Sequence, residues 1–224
     1  MKKNIAIFEG NRANNYDDFA AKWIPNYDYY IDMLPKLLNH TDEKNALIVG
    51  CSTGNEMKAL AQSSEDWSLT GVDPSPEMIA LAKEKLRAFS TIELFTGKLE
   101  HFKNTTFFNA ATLSLVLHFI KYPKDKLALL QQVEKRLKPG SPFIIMGIFG
   151  NGEQLRTNLE VLELLLENTV AQKEIDERFT RIKKELHRTS EEELKKLLVR
   201  AGFKPPTRFF QTSIYSAWIT HKID

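Results

Sequence analysis

The nine residues LIVGCSTGN, at positions 47–55, constrain the fold of this chain more than any other segment. They begin in a short apolar run, Ala46 to Val49, that is typical of a buried strand, and they lead into NEMKALAQ, which favours a helix. Small residues in the connection allow a ligand to approach the backbone closely. These small residues are Gly50, Ser52 and Gly54.

An acidic residue follows the next predicted strand. That strand runs from Trp67 to Val72 and is succeeded at once by Asp73, whose carboxylate can accept hydrogen bonds from both hydroxyls of a ribose. The sequence therefore predicts a nucleoside site at the carboxyl end of a sheet. Neither position 53 nor position 55 is glycine or alanine, which counts against a dinucleotide fingerprint, and no phosphate-binding G-x-x-x-x-G-K-[S/T] motif occurs.

Strands and helices continue to alternate after Asp73. Ser75 is predicted to be the N-cap of a helix whose first residue is Pro76, and a second amphipathic helix is predicted over 124–137. The further predicted strands are Ile92–Phe95, one strand within Phe107–Leu117, and Phe143–Phe149. This alternation, with nearly continuous apolar strands, indicates a parallel sheet that is covered by helices on both faces.

Both ends of the chain depart from the alternation. The first forty residues predict two helices, roughly 14–23 and 27–39, which are broken near Pro25. Residues 153–200 read as almost entirely helical. The last two strands, Thr207–Gln211 and Ile214–His221, are too close together for a crossover helix and should pair antiparallel.

Composition narrows the class of protein. A length of 224 residues suits one α/β domain, and a net charge of +2 argues against a bulk nucleic-acid binder. The single cysteine, Cys51, can form neither an intrachain disulfide nor a Cys-based zinc site. No apolar run approaches the ~20 residues of a membrane helix. The run Ile5 to Phe8 is too short for the core of a signal peptide, so we expect a reducing cytoplasm.

Five ordered motifs between about residues 44 and 148 resemble those of class I S-adenosylmethionine (SAM)-dependent methyltransferases. The motifs are VGCSTGN, GVDPSPEMIALAKEKL, GKLEHF, FFNAATLSLVLHFI and LLQQVEKRLKPGSPFIIM. The resemblance implies a Rossmann-like α/β fold with a seven-stranded sheet, mostly parallel and with an antiparallel last strand. It also implies SAM as the cofactor and S-adenosylhomocysteine as the product.

A closer resemblance extends to both ends of the chain. IPNYDYYIDML, GCS, LVLHFI and AGFKPPTRFFQTSIYSAW are similar to the carboxy-SAM synthase group, a tRNA-modification branch, and its small methyltransferase relatives. The resemblance implies that Tyr27 caps the ligand, that Asp73 and Pro74 hold the ribose, and that an arginine near Arg178 or Arg181 binds a carboxylate. From the loop pattern and the resemblance together, the candidate cofactor-binding residues are Tyr27, Gly50, Cys51, Ser52, Gly54, Asp73, Pro74, Met78, Lys98, Leu99, Ser114 and Leu115.

Three positions depart from the family pattern. Ile48 stands where the family has an acid, which removes an anchor for the ammonium end of SAM. Lys98 replaces the acid on the adenine side and cannot accept a hydrogen bond through its side chain. Asn109 replaces the acid that opens the fourth strand. We expect these changes to affect SAM affinity more than the fold.

We therefore expect a single domain with a cap (1–40), a SAM-binding core (44–150), a helical insert (151–188), and a last helix with a terminal hairpin (189–224). Residues 14–40 of the cap and the insert, 151–188, should together form a lid over the acceptor. His118 is the candidate catalytic residue, and the candidate acceptor contacts are Tyr16, Arg178 and Arg181. No set of residues has the spacing of a metal site.

The leading hypothesis is a methyltransferase that acts on a small molecule. The alternatives are a carboxy-SAM synthase-like enzyme and a binding protein of the same fold that does not turn over. We expect no membrane partner, do not expect nucleic acid as the main partner, and leave a homodimer open.

Overall fold

The structure, a computed structural model, describes residues 8–41 and 43–224. Three helices precede the first strand: α1 (Asn11–Asn14), α2 (Tyr16–Trp23) and α3 (Tyr27–Leu38). The central elements are β1 (Asn45–Val49), α4 (Asn55–Ser63), β2 (Ser68–Asp73), α5 (Pro76–Leu86), β3 (Ile92–Thr96), β4 (Ala110–Ser114), α6 (Pro123–Glu134) and β5 (Pro142–Ile148). The last elements are α7 (Gly152–Leu166), α8 (Gln172–Glu185), α9 (Glu191–Ala201), β6 (Thr207–Thr212) and β7 (Tyr215–His221).

The seven strands form one sheet in the order β3-β2-β1-β4-β5-β7-β6. Neighbouring strands from β3 to β5 are parallel, and β7 runs antiparallel to both β5 and β6. The strand order reverses between β1 and β4, and this is where ligands bind in open α/β sheets. The predicted fold class and the antiparallel terminal hairpin are confirmed.

Strands β1, β2, β4 and β5 are buried on both faces, as their continuous apolar sequences predict. In β1, Ile48 packs on the side of α3, α4 and α5, whereas Leu47 packs on the side of α6 and α9. In β5, Ile144 and Phe143 divide between the same two sides. The sheet therefore lies between two helical layers, and its carboxyl edge is left to form the site.

One predicted helix boundary near the N-terminus changes in the structure. The helix predicted over 14–23 begins at Tyr16 as α2, because Asn15 leaves the helical conformation at φ −102° and ψ 15°, and the short helix α1 precedes it. The predicted break near Pro25 is confirmed by the extended backbone of Ile24, which a following proline favours. Residues 1–7 of the expected cap, including most of the run Ile5 to Phe8, lie outside the described residues.

The other differences have local causes. The helix predicted over 124–137 ends at Glu134, because the backbone N–H of Lys138 donates to the carbonyl oxygen of Phe108 at 2.9 Å and draws the chain into a bridge beside β4. Ser75 does precede α5, but its hydroxyl accepts a hydrogen bond from the N–H of Phe8 at 2.9 Å rather than capping α5.

The N-terminal helices pack against α7 and α8 on one side of the sheet. The ammonium of Lys22 in α2 lies 2.7 Å from the carboxylate of Glu174 in α8. The guanidinium of Arg178 stacks over the ring of Phe19, 4.5 Å from its centre. These two segments, distant in sequence, thus cover the same end of the sheet. Within the described parts of the chain, no helix is long and apolar enough to cross a membrane.

Candidate cofactor site

A cavity of about 940 Å³ lies at the carboxyl ends of β1, β2 and β4, between the sheet edge and helices α1, α2 and α8. It brings together most of the residues that the sequence singled out. The predicted residues that line it are Tyr16, Gly50, Ser52, Asp73, Pro74, Met78, Lys98, Leu99, Ser114, Leu115, His118, Arg178 and Arg181. A smaller cavity of about 20 Å³ is lined by the predicted residues Tyr27 and Cys51.

Asp73 is held in place by backbone donors from two loops. Its Oδ1 accepts the N–H of Ser75 at 2.8 Å, and its Oδ2 accepts the N–H of Ser52 at 3.0 Å. Burial raises the pKa of Asp73, and these N–H donors oppose that shift. Because a carboxylate offers about four acceptor sites, roughly two remain for the two hydroxyls of a ribose.

The loop after β1 turns sharply around Gly50 and Ser52, both of which have positive φ, at 73° and 51°. A Cβ at Gly50 would come within 2.3 Å of the side chain of Val116, so this position requires glycine. Gly54, which was predicted to bind cofactor, lines neither cavity. A Cβ there would meet Leu86 at 2.7 Å, so its small size serves the packing of α4 on α5.

The adenine side of the cavity is apolar. Met78 and Leu99 are both buried and line it. The hydroxyl of Ser52 lies 3.4 Å from the sulfur of Met78. Lys98 also lines this side, but its ammonium lies 3.1 Å from the carboxylate of Glu100. The side chain of Lys98 is thus held by an acid, and its backbone is the part suited to contact adenine.

Glu56 is a site residue that sequence reasoning missed, as it also missed Arg12. Glu56 lines the smaller cavity and is only 7% exposed. Its Oε2 accepts the hydroxyl of Thr112 at 2.6 Å, and its Oε1 accepts the hydroxyls of Ser114 and Tyr30. One sequence signal could have revealed it, because position 56 lies one turn before Leu60 on the buried face of α4.

Two of the three departures from the family pattern lie away from the cavity. Ile48 is in the protein core, and Asn109 is at the opposite edge of the sheet. Ile48 is fully buried among apolar residues of the sheet. The backbone N–H of Asn109 donates to the carbonyl oxygen of Asn45 at 2.9 Å, which places Asn109 at the amino-terminal edge of the sheet. The site lies at the carboxyl edge. The expectation that Asn109 affects SAM affinity is therefore wrong, because this residue lies at the opposite edge of the sheet from the site.

His118 follows β4 and is buried in the cavity wall. Burial, followed by the charges of Arg178, Lys126 and Arg188, lowers the pKa of His118 to about 3. The N–H of Ile148 points to His118 Nδ1 at 3.4 Å, which indicates that the proton of the neutral ring is on Nε2. His118 is therefore neutral near pH 7.

Three arginines line the end of the cavity that is formed by α1 and α8: Arg12, Arg178 and Arg181. Partial burial, together with the nearby charges of Arg181 and Arg178, lowers the pKa of Arg12. Arg181 has an acidic neighbour in Glu185, at 3.3 Å from its Nε. Nε of Arg178 is buried without a hydrogen-bond partner among the described residues. This end of the cavity is thus suited to a negatively charged group.

A polar cluster fastens α2 to the core beside the loop after β1. The ammonium of Lys85 in α5 lies 2.6 Å from Asp17 Oδ2, and Asp17 Oδ1 accepts the hydroxyl of Thr53 at 2.6 Å. Asn55 donates to the same carboxylate at 2.9 Å. Burial favours the neutral acid, but Lys85, Thr53 and Asn55 together hold the pKa of Asp17 below its ordinary value.

Comparison with known proteins agrees with this architecture. A family model described as a methyltransferase domain matches residues 47–143. A carboxy-S-adenosyl-L-methionine synthase from Campylobacter lari is 30% identical over 144 residues, which cover 62% of this chain and 59% of that relative. The same-named protein from Campylobacter concisus is 27% identical and is aligned over 96% of this chain and 94% of its own length.

Solved structures show the same fold. A SAM-dependent methyltransferase from Clostridium acetobutylicum superimposes with a TM-score of 0.68 at 15% identity, covering 96% of this chain and all of the other. The chain spans only 58% and 60% of two longer proteins of this fold.

The chain therefore has the fold of the class I SAM-dependent methyltransferases, and a methyltransferase-domain model matches its central part, which supports SAM as the cofactor. The relatives named above are carboxy-SAM synthases, at 27% to 30% identity.

Proposed function

We propose that the protein transfers the methyl group of SAM to a small-molecule acceptor. The observation that carries this proposal is the continuity of one cavity from Asp73 at its cofactor end to Arg178 at its other end. Its volume of about 940 Å³ lies near the top of the ~300–1,000 Å³ range of small-molecule sites, so a second ligand has room beside the cofactor.

The residues present fit the cofactor. Asp73 has free acceptor sites for the ribose, and Met78 and Leu99 offer an apolar surface to adenine. When bound, SAM supplies a methyl group that is activated by the positive charge on its sulfur. The protein then has to hold the acceptor in line and exclude water, and such positioning supplies a large part of a rate enhancement.

The structure argues for little acid–base chemistry by His118. A group with a pKa of about 3 is a weak proton acceptor at neutral pH. We therefore keep His118 and Tyr16, which line the same cavity, as parts of the wall of the acceptor pocket, and assign the proton transfer to neither residue. Helices α2 and α8 serve as the lid that excludes water from this pocket.

The second candidate is a carboxy-SAM synthase-like activity. The observation that favours it is the arginine group at the far end of the cavity, because an added carboxylate in a buried pocket needs a cation. Arginine can bind both carboxylate oxygens at once. The same three arginines would also receive an anionic methyl acceptor, so identification of the bound ligand has to separate the two candidates.

Mass spectrometry of the ligand that co-purifies with the protein distinguishes methyl transfer from the carboxy-SAM synthase-like activity. Methyl transfer predicts SAM or S-adenosylhomocysteine, which should be lost from an Asp73→Ala variant. Carboxy-SAM in wild type, absent from an Arg178→Ala/Arg181→Ala variant, would contradict methyl transfer and establish the second candidate.

Binding without turnover is tested next. Purified protein and SAM should release S-adenosylhomocysteine when a panel of carboxylate- and phosphate-bearing acceptors is added. Tight binding with no turnover across neutral and anionic acceptors would contradict the proposal and favour a binding protein.

A further inference from the structure

Glu56 is a buried carboxylate that lacks a cation. It is 7% exposed, and within residues 8–41 and 43–224 it forms no ion pair. Its described hydrogen-bond partners are the hydroxyls of Thr112, Ser114 and Tyr30. Burying an ionised carboxylate without a positive partner is costly, so such a residue either takes up a proton or pairs with a cation from outside the chain.

The hydrogen bonds leave Glu56 with acceptor capacity. A carboxylate offers about four acceptor sites, and the three hydroxyls occupy about three of them. Among the residues that the structure describes, two hydroxyls share Oε1, whereas Oε2 accepts only that of Thr112. One acceptor site on Oε2 is therefore free for a further donor.

The smaller cavity borders Glu56. Its volume of about 20 Å³ suits one water-sized group, and an ammonium is such a group. It adjoins the large cavity, with which it shares the lining residues Tyr16, Gly50, Ser52, Ser114 and Leu115. Glu56 lies in its wall, and so do Tyr27 and Cys51.

The order of the strands fixes which end of the cofactor reaches this small cavity. Asp73, the ribose acceptor, ends β2, and the adenine side formed by Leu99 follows β3. The small cavity lies at the ends of β1 and β4, on the opposite side of β2 from β3. A nucleoside anchored at Asp73 with its base towards β3 directs its 5′ substituent towards Glu56.

We propose that Glu56 binds the ammonium of the amino-acid end of SAM. In this chain, Glu56 on α4 would supply the negative charge for the ammonium that the family supplies from the position of Ile48 in β1. The inference rests on the proposed function, since it assigns a role within the same cofactor site. Burial raises the pKa of Glu56, so binding of a cation should also release protons from the fraction that is protonated in the free protein.

The test compares three ligands by isothermal titration calorimetry: S-adenosylhomocysteine, its analogue without the amino group, and methylthioadenosine, which lacks the amino-acid end. In the Glu56→Gln variant, S-adenosylhomocysteine should bind roughly 10- to 100-fold more weakly, as expected for loss of one hydrogen bond between charged groups. Methylthioadenosine should bind within about twofold of wild type, because it makes no such bond. An exposed acid on α5 provides the control variant, Glu84→Gln.

The double-mutant cycle decides the outcome. Wild type should prefer S-adenosylhomocysteine to the deamino analogue, and Glu56→Gln should bind the two equally. If Glu56 only supports the fold, the variant would lower Tm while keeping the wild-type preference, and the inference would be overturned. Equal loss of all three ligands would also overturn it. If wild type binds none of the three, the proposed function itself fails, and that result is distinct from both.

Discussion

The two ends of the large cavity are built in different ways. At the cofactor end, the key contact joins Asp73 to the N–H of Ser52, and the two residues are 21 positions apart. In the helices proposed as the lid over the acceptor end, the contacts span longer distances: Lys85 reaches Asp17 across 68 positions, and Lys22 reaches Glu174 across 152. The first end depends on a loop and the strand beside it, whereas the second depends on helices that meet only in the folded chain.

This difference predicts that a change at one end leaves the other end largely intact. Cofactor affinity should respond to Asp73 and hardly respond to the contacts of the lid. The stability of the lid helices, and the exchange of their backbone amides with solvent, should respond to changes at Asp17 and its partners. Three variants test this separation, beginning with the largest expected effect.

Asp73→Ala should produce the largest effect. It removes the acceptors for the ribose hydroxyls and the two backbone anchors on Ser52 and Ser75. Hydrogen bonds to charged groups contribute about 1.5–3 kcal/mol each, so the loss of two predicts that S-adenosylhomocysteine binds about 100-fold or more weakly. Isothermal titration calorimetry of wild type and variant measures this difference in affinity.

Asp73→Asn, which keeps one carbonyl oxygen, should fall between wild type and Asp73→Ala. The exposed Asp66→Ala serves as the control. Unchanged affinity in Asp73→Ala would remove the ribose assignment and, with it, the distinction between the two ends.

The same difference explains what the sequence could predict. The β-α-β unit and Asp73 follow from local apolar runs, glycine spacing and one acid, and the structure places them together as expected. The role of Glu56 was missed because a single acid in a helix becomes informative only when its burial is known. The cluster of Asp17 and Lys85 was missed because no local pattern connects two helices that are so far apart in sequence.

The pKa of His118 depends on the contact between the core and the insert. His118 follows β4, and the insert touches it through the N–H of His187, which donates to the carbonyl oxygen of His118 at 2.8 Å. After burial, charges that include Arg178 and Arg188 keep the pKa of the folded state at about 3, below the ordinary value of 6.5. Between these values the unfolded chain binds one more proton, so acidification favours unfolding.

Wild type should therefore lose about 1.4 kcal/mol of stability relative to His118→Asn between pH 7.5 and pH 5.5. The asparagine oxygen can accept the N–H of Ile148 but cannot take up a proton in this range. Urea unfolding at the two pH values gives the comparison, and taking the difference between the two proteins cancels the titration of Asp73 and Glu56. A constant difference between them would show that His118 is not desolvated in solution, and that the insert does not cover it.

Asp17→Asn should have the smallest effect, and it addresses the lid directly. The change leaves Lys85 with the oxygen of Asn55 and the hydroxyl of Thr53 but without a counter-charge. Because the Asp17 side chain is 46% exposed, solvent screens the pair, and we expect a loss of about 1 kcal/mol, or about 2–4 °C in Tm. Amide hydrogen exchange should become faster in α2 and stay unchanged in β1 and β2, because only the lid is loosened. Asp18→Asn, at an exposed position on the same helix, should match wild type.

The Asp17→Asn variant should bind S-adenosylhomocysteine within about threefold of wild type, since the change touches none of the proposed anchors of this ligand. A loss of affinity as large as that of Asp73→Ala, with β1 and β2 still protected, would make α2 part of the cofactor site, and the two ends of the cavity would then be one energetic unit.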